Sequence, residues 1–248
     1  MLAEILDNAE RAVRAVPRLT DAYQLDVPAA YQVQRAGIEL RVARCERVVG
    51  VKMGFTSRAK MAQMGIHDVI WGQLTDAMLV ETVSTKAGID LSALIQPKIE
   101  PEVAYLIGRP VRTPAEADTA VAAVAVGFDV LDSRYLDFSF TLPDVIADNA
   151  SAARFGIGAW HAPCDLANRA LVLEIDGQVA AAGSTAAILG DPVRSLRAAA
   201  RLALAAGIPL DAGSIVLAGA ATPAVPLPRG AHIRVTAAGL GSVAVTTR

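Results

Sequence analysis

The chain has 248 residues, of which 53% are hydrophobic, 4% aromatic and 19% charged, with a formal net charge of -2. That length and composition exclude a disordered chain and require a sizeable core filled mainly by Ala, Val, Leu and Ile. The 23 basic residues are scattered, with no stripe carrying interleaved aromatics, which argues against a nucleic-acid partner.

The opening MLAEILDNAERAV places acids where a secretory signal would carry positive charge, so a cytoplasmic protein is expected. Leu2, Ile5, Leu6, Ala9, Val13 and Val16 share one face at helical spacing, and Pro17 closes that segment. A second helix should begin near Asp26, a good cap with Pro28 in the first turn, and run through Tyr31 and Ile38 towards Arg44. Residues 1–47 thus form a helical N-terminal segment, and residues 48–248 are expected to form one β-rich catalytic core.

From Val48 the texture changes. VVGVKMGFTS reads as a strand ending in a polar, Gly-punctuated loop, and RAKMAQMGIHDVIWGQL as a short helix followed by irregular chain. The segment from Ser57 to Gln73, with His67 and Asp68 in it, is expected to act as a lid. QPKIEPEVAYLIG is strand-like, and Thr113, Pro114 and Glu116 then predict a capped helix over residues 114–122. AVAVGFDVLD, RALVLEIDGQVAAAG, GSIVLAG and HIRVTAAGLGSVAVTT return to strand character, the last turning at Gly239 and Gly241. Between them a helix should start at Asp191-Pro192, bury Val193, Leu196, Ala200, Ala203 and Leu204, and stop at Gly207. Clustered strands, instead of a regular alternation with helices, indicate an α+β fold with a rolled or stacked mixed sheet. The longest uncharged run, 212–228, carries three prolines and is too short to span a bilayer. Cys45 and Cys164 form no CxxC pair and are expected to be buried thiols.

The strongest chemical signal is Glu100-Pro101-Glu102. Proline fixes its own φ and drives its predecessor out of the α region, so the tripeptide is extended and both carboxylates fall on one face. Ile99, Val103, Tyr105 and Ile107 then point to a packed face opposite a solvated one. Because proline donates nothing to a β-ladder, the strand is expected at an edge or a bulge. Two same-face carboxylates repel unless a cation separates them, and a hard divalent ion serves that purpose. Two solvated glutamates paired with lysines are an equally good reading of the tripeptide alone. Asp129 sits in the apolar run VAVGFDVLD and calls for a cation or a hydrogen-bond network, or for a half-exposed strand face. Lys52 inside VVGVKMG is either a snorkelling edge residue or a pocket cation facing a substrate carboxylate. His67, His161 and His232 lack zinc-site spacing, and GxSxG, GxGxxG and Walker motifs are absent.

VGVKMGFTSRAKMAQMG, PKIEPEVAYLIG, DVLDSRY, DVIADNAS and GSTAAILGDPVRSLRAAARL, in this order, resemble the 2-oxopent-4-enoate hydratase and 4-oxalocrotonate decarboxylase family of the fumarylacetoacetate hydrolase superfamily. GSTAAILGDPVRSL, in place of a hydratase-like GKGAAALGHP segment, and VLAGAAT favour the decarboxylase branch. The resemblance implies a mixed rolled β-structure of the fumarylacetoacetate hydrolase type and a Mg²⁺ or Mn²⁺ ion held by Glu100, Glu102 and Asp129, the last a position where the family more often has glutamate. It assigns Lys52, Asp148 and Ser184 to catalysis and Thr56, Ser57 and Thr185 to substrate binding. Asn149 shares the ADNAS segment with Asp148.

The implied reaction is decarboxylation of 2-oxohex-3-enedioate (4-oxalocrotonate) to 2-hydroxypenta-2,4-dienoate, a step of aromatic meta-cleavage catabolism. Chelation through the C1 carboxylate and 2-oxo oxygen would make the carbonyl an electron sink for the charge left as CO₂ departs. No Schiff base is then needed, and Lys52 acts through its charge or as a proton donor. The resemblance further implies a homo-oligomer that can associate with a paralogous hydratase. The alternatives are hydration of 2-hydroxypenta-2,4-dienoate, a non-catalytic partner subunit, and hydrolysis of an acylpyruvate C–C bond.

Overall fold

A computed structural model describes residues 1–58, 61–62, 67–82 and 88–248. Two helices open the chain, α1 (Leu2–Arg11) and α2 (Val27–Ala43). The first stops earlier than its apolar spacing predicts. Val13 turns left-handed at φ 50°, and Val16 instead bridges Tyr135 in extended form. The second starts where the cap was expected, with Asp26 Oδ1 accepting from the Ala29 N–H at 2.8 Å.

The first sheet comprises β1 (Val48–Gly54), β2 (Ile70–Thr75), β4 (Lys98–Ile107), β5 (Val121–Leu131), β6 (Ala152–Ile157), β9 (Ile215–Leu217) and β10 (Val225–Pro226). Six of them run in the order β2-β1-β9-β4-β5-β6, and β10 pairs with the start of β4. The second sheet has the order β3-β12-β11-β7-β8, built from β3 (Gly88–Ile89), β7 (Ala170–Ile175), β8 (Gln178–Ser184), β11 (His232–Ala237) and β12 (Gly241–Thr247). The β1–β9 and β3–β12 pairs are parallel and the others antiparallel, so both sheets are mixed. Ile99, Val103, Tyr105 and Ile107 of β4 join Val124, Val126, Phe128 and Val130 of β5 in the main core, with β7, β11 and β12 contributing from the second sheet. Helix α4 (Pro192–Ala205) covers this core through Leu196, Ala199, Ala200 and Ala203, capped by Asp191 and followed by Gly207 at φ 70°. A second apolar cluster joins Leu6 of α1 and Ala30 of α2 to Tyr135, Val145 and Ile146, the last two on α3 (Leu142–Ala147).

Several expectations give way to tertiary context. Residues 114–120 form two 3₁₀ turns, and β5 begins at Val121. The Thr113 side chain makes no cap bond to the backbone, so only the Glu116 half of a capping box is present. The Glu116 carboxylate also accepts from the Arg112 N–H at 2.8 Å. Residues 70–73 of the expected lid belong to the buried strand β2, and the short helix expected over RAKMAQMG falls largely on residues 59–60 and 63–66, outside the described ones. His67 and Asp68 are exposed, and Asp68 pairs with Arg201 of α4 at 2.8 Å. Both cysteines are exposed, Cys45 because it turns the chain after α2 at φ 73° and Cys164 because it lies in a surface loop. Strand β4 is interior, not an edge. Pro101 is accommodated because it falls between the stretches paired with β10 (Lys98, Ile99) and with β9 (Ala104–Leu106).

Candidate active site

The β4–β5 register places Glu100 opposite Asp129 and Glu102 opposite Gly127, so no side chain from β5 competes with Glu102. Carboxylate oxygens of Glu100, Glu102 and Asp129 lie within 4.8 Å of one another. The face expected to be solvated is buried: Glu102 and Asp129 are both 0% exposed, and Glu100 is half-buried. Glu102 Oε2 accepts from the Gly219 N–H at 2.7 Å, whereas Glu102 Oε1 and Asp129 Oδ1 have no hydrogen-bond partner among the described residues. Orphaned buried carboxylate oxygens are costly, and converging ones fit a hard divalent cation.

Lys52 projects from β1 into the same cluster. Its ammonium pairs with Asp129 and donates to the Ala150 carbonyl at 3.0 Å, and the side chain is 3% exposed. Among the described residues, three carboxylates beside the Lys52 ammonium leave a formal charge of two minus, the charge a divalent ion balances. Burial drives the Glu102 carboxyl well above its ordinary pKa, the Asp129 charge adds to this, and Lys52 opposes it. Burial likewise raises Asp129, against the pull of Lys52.

The cluster abuts a cavity of about 410 Å³. Lys52, Thr56, Ser57 and Glu100 supply polar lining, while Leu131, Phe138, Phe140 and Val145 supply apolar walls. Thr56 and Ser57 border it because the chain after β1 turns at Phe55, φ 53°. Thr56 is fixed further by its carbonyl accepting from the Leu189 N–H at 2.9 Å.

Ser184, Thr185 and Asp148 lie elsewhere. None of them lines the cavity, though Ala187, just beyond, does. Ser184 Oγ donates to Asn168 Oδ1 at 2.8 Å and accepts from the Ala186 N–H at 3.1 Å. Thr185 is 0% exposed, its hydroxyl donating to the Leu166 carbonyl at 2.6 Å and accepting from the Arg169 N–H at 2.8 Å. Both hydroxyls are therefore spent on local structure. Asp148 pairs with the buried guanidinium of Arg134 and accepts from Ser151 Oγ at 3.1 Å, beside a separate void of about 30 Å³. Burial pushes its carboxyl up to about 6, with Arg134 opposing. Its connection to the site is indirect. Arg134 also donates to the Asp132 and Ala152 carbonyls, and Asn149 grips the backbone N–H and carbonyl of Gln73 at 2.8 Å each. These bonds hold Asn149, Ala150 and Ser151 in three successive left-handed conformations, from which the Ala150 carbonyl meets Lys52.

Residue-level reading missed Gly219 and Lys98. Gly219 was visible only as part of VLAGAAT, and its N–H reaches Glu102 through the fold. Lys98 carried a usable signal, since it stands two residues before Glu100 on the same strand face and lines the cavity.

Residues 47–248 match the family described as fumarylacetoacetate (FAA) hydrolase C-terminal. The chain is 49% identical over 250 residues to a 4-oxalocrotonate decarboxylase of Pseudomonas sp., covering 99% of this chain and 96% of that protein. It is 34% identical to a 2-hydroxyhexa-2,4-dienoate hydratase of Comamonas testosteroni, covering 97% and 94%. Among solved structures, 4-oxalocrotonate decarboxylase from Pseudomonas putida G7, complexed with magnesium and adipate, superposes with a TM-score of 0.92 at 37% identity, covering 100% of this chain and 96% of that one. With the acid pair on β4, the facing aspartate on β5 and these likenesses along its whole length, the chain belongs to the fumarylacetoacetate hydrolase family.

Proposed function

We propose that this chain is a lyase that decarboxylates 2-oxohex-3-enedioate with the help of Mg²⁺, with Mn²⁺ as an alternative ion. The observation that carries this is the convergence of Glu100, Glu102 and Asp129 beside Lys52 at the end of a largely apolar cavity. The higher identity to a decarboxylase than to the hydratase supports the branch.

Glu100, Glu102 and Asp129 would hold the ion, which supplies Lewis acidity to a chelating 2-oxo acid. Lys52 offers an ammonium at the same place, where it can pair with a substrate carboxylate more strongly than in water and hold a proton for the product. Asp129 and the Ala150 carbonyl keep that ammonium oriented. The hydroxyls of Thr56 and Ser57 border the substrate space, and the Leu131, Phe138, Phe140 and Val145 walls exclude water that would otherwise screen the developing charge. Ser184, Thr185 and Asp148 act by holding the loops around the cavity. Action in the cytoplasm as a homo-oligomer, able to associate with a paralogous hydratase, belongs to the same proposal; light scattering of the chain with and without such a hydratase tests the assembly.

An ultraviolet assay with 2-oxohex-3-enedioate and Mg²⁺, with CO₂ measured, tests the reaction. Loss of substrate absorbance with stoichiometric CO₂ is expected, abolished by chelator and restored by metal. Conversion of 2-hydroxypenta-2,4-dienoate with no CO₂ release from the diacid would assign the chain to the hydratases.

A further inference from the structure

One cavity-lining cation has no assigned role. Among the described residues the cavity presents two ammonium groups, Lys52 and Lys98. Lys52 is committed to the acid cluster. Lys98 is half-buried, forms no ion pair among the described residues, and rests its Nζ over the Phe138 ring, 4.0 Å from the centroid. A cation held on an aromatic face at a cavity wall is partly desolvated and positioned, yet no carboxylate among the described residues pairs with it.

Its place on the strand sets a distance. Lys98, Glu100 and Glu102 share one face of β4, and the β5 register puts Leu131 opposite Lys98 as it puts Asp129 opposite Glu100. The Lys98–Leu131 row is therefore one strand repeat from the metal row, about 6.6 Å at ~3.3 Å per residue. A six-carbon chain anchored at C1 and C2 extends about 5 Å from C2 to C6, taking ~1.5 Å C–C bonds in a zigzag. Its far end thus reaches the Lys98 row across an otherwise apolar wall. The row is rigid, because Gln96 Nε2 donates to the Ser133 and Tyr135 carbonyls at 2.8 and 2.6 Å and so ties the start of β4 to the loop carrying Phe138.

The geometry points to Lys98 as the specificity-determining residue that recognises the distal carboxylate of a 2-oxo dicarboxylic acid, an assignment that rests on the 2-oxo acid reading of the site given above. Lys98 discriminates a diacid from a monoacid of equal length and has no contact with a product that has lost that carboxylate. Its contribution is to binding, so it acts on KM more than on kcat.

The test is calorimetric titration of the Mg²⁺-loaded protein with 2-oxohexanedioate and with 2-oxohexanoate, which differ only in the distal carboxylate. The wild-type chain should prefer the diacid by about 10- to 100-fold, the range of one charge-assisted contact. Lys98→Met should abolish the preference while leaving monoacid affinity and Mg²⁺ affinity unchanged, and Lys98→Arg should keep most of it. Lys98→Gln, polar at this half-exposed position, takes the place of the methionine variant if that one does not fold. A diacid preference that survives in Lys98→Met or Lys98→Gln would overturn this assignment alone. Failure of the wild-type protein to bind either acid would overturn it together with the 2-oxo acid reading.

Discussion

Replacing Gly219 by alanine perturbs the acid cluster without touching a carboxylate. Gly219 sits at φ +106°, where an L side chain is strained by roughly 1–3 kcal/mol. A Cβ built there would stand 2.3 Å from Thr56 Oγ1 and 2.6 Å from Thr56 Cγ2, so either the 219 backbone or the Thr56 loop must move. Movement of the backbone weakens the 2.7 Å bond from the Gly219 N–H to Glu102, and a bond to a buried carboxylate contributes about 1.5–3 kcal/mol. Together these give a loss of about 3–6 kcal/mol, which for a chain of this size lowers Tm by on the order of 10 °C. Mg²⁺ affinity should fall in parallel, since Glu102 loses the donor that orients it. Thr56→Ala in the same chain removes the two closest contacts but leaves the residue-56 Cβ at 2.9 Å and the strained φ, and should recover part of the loss. Differential scanning calorimetry and Mg²⁺ titration of the single and double variants measure both effects. A Gly219→Ala protein that melts within about 2 °C of wild type, roughly 1 kcal/mol at most, and binds Mg²⁺ unchanged would refute this account.

Glu102→Gln should abolish measurable Mg²⁺ binding in calorimetry while the chain stays folded, because it neutralises one of the two fully buried acids of the cluster; retained affinity would remove Glu102 from the ligand set. Lys52→Arg should retain some decarboxylase activity and Lys52→Met very little, with metal binding intact in both, whereas borohydride trapping of substrate on Lys52, read by mass spectrometry, would reveal an imine and contradict a role through charge. Asp148, raised by burial to about 6, takes up more protons folded than unfolded between about pH 4 and 6, so its contribution to stability falls as pH rises through that window. Asp148→Asn should flatten that part of the pH–stability curve, because the group that titrates there is gone; an unchanged dependence of unfolding free energy on pH, read by urea denaturation from pH 4 to 7, would count against it.

The local chemistry of the chain already determined several features. Asp26 with Pro28, and Asp191 with Pro192, could only start helices well, because both supply a side-chain acceptor and a residue that needs no intrahelical donor. The Glu100-Pro101-Glu102 alternation put two carboxylates on one face whatever else packed nearby, and the ordered motifs led to the family and its reaction. Tertiary structure decided which groups met. The pairing of Glu100 with Asp129, across a turn and two 3₁₀ segments, depends on register, and register follows from side-chain packing along both strands and not from either strand's own pattern. Burial was equally non-local: the second sheet and the 216–224 segment complete the surroundings of β4, so Glu102 is buried where alternation alone suggested solvent, while the cysteines, buried by their usual preference, are exposed by the turns they occupy. Ser184, Thr185 and Asp148 looked available because sequence reveals which polar groups exist but not which carbonyls, amides and guanidinium will claim them once the chain is folded.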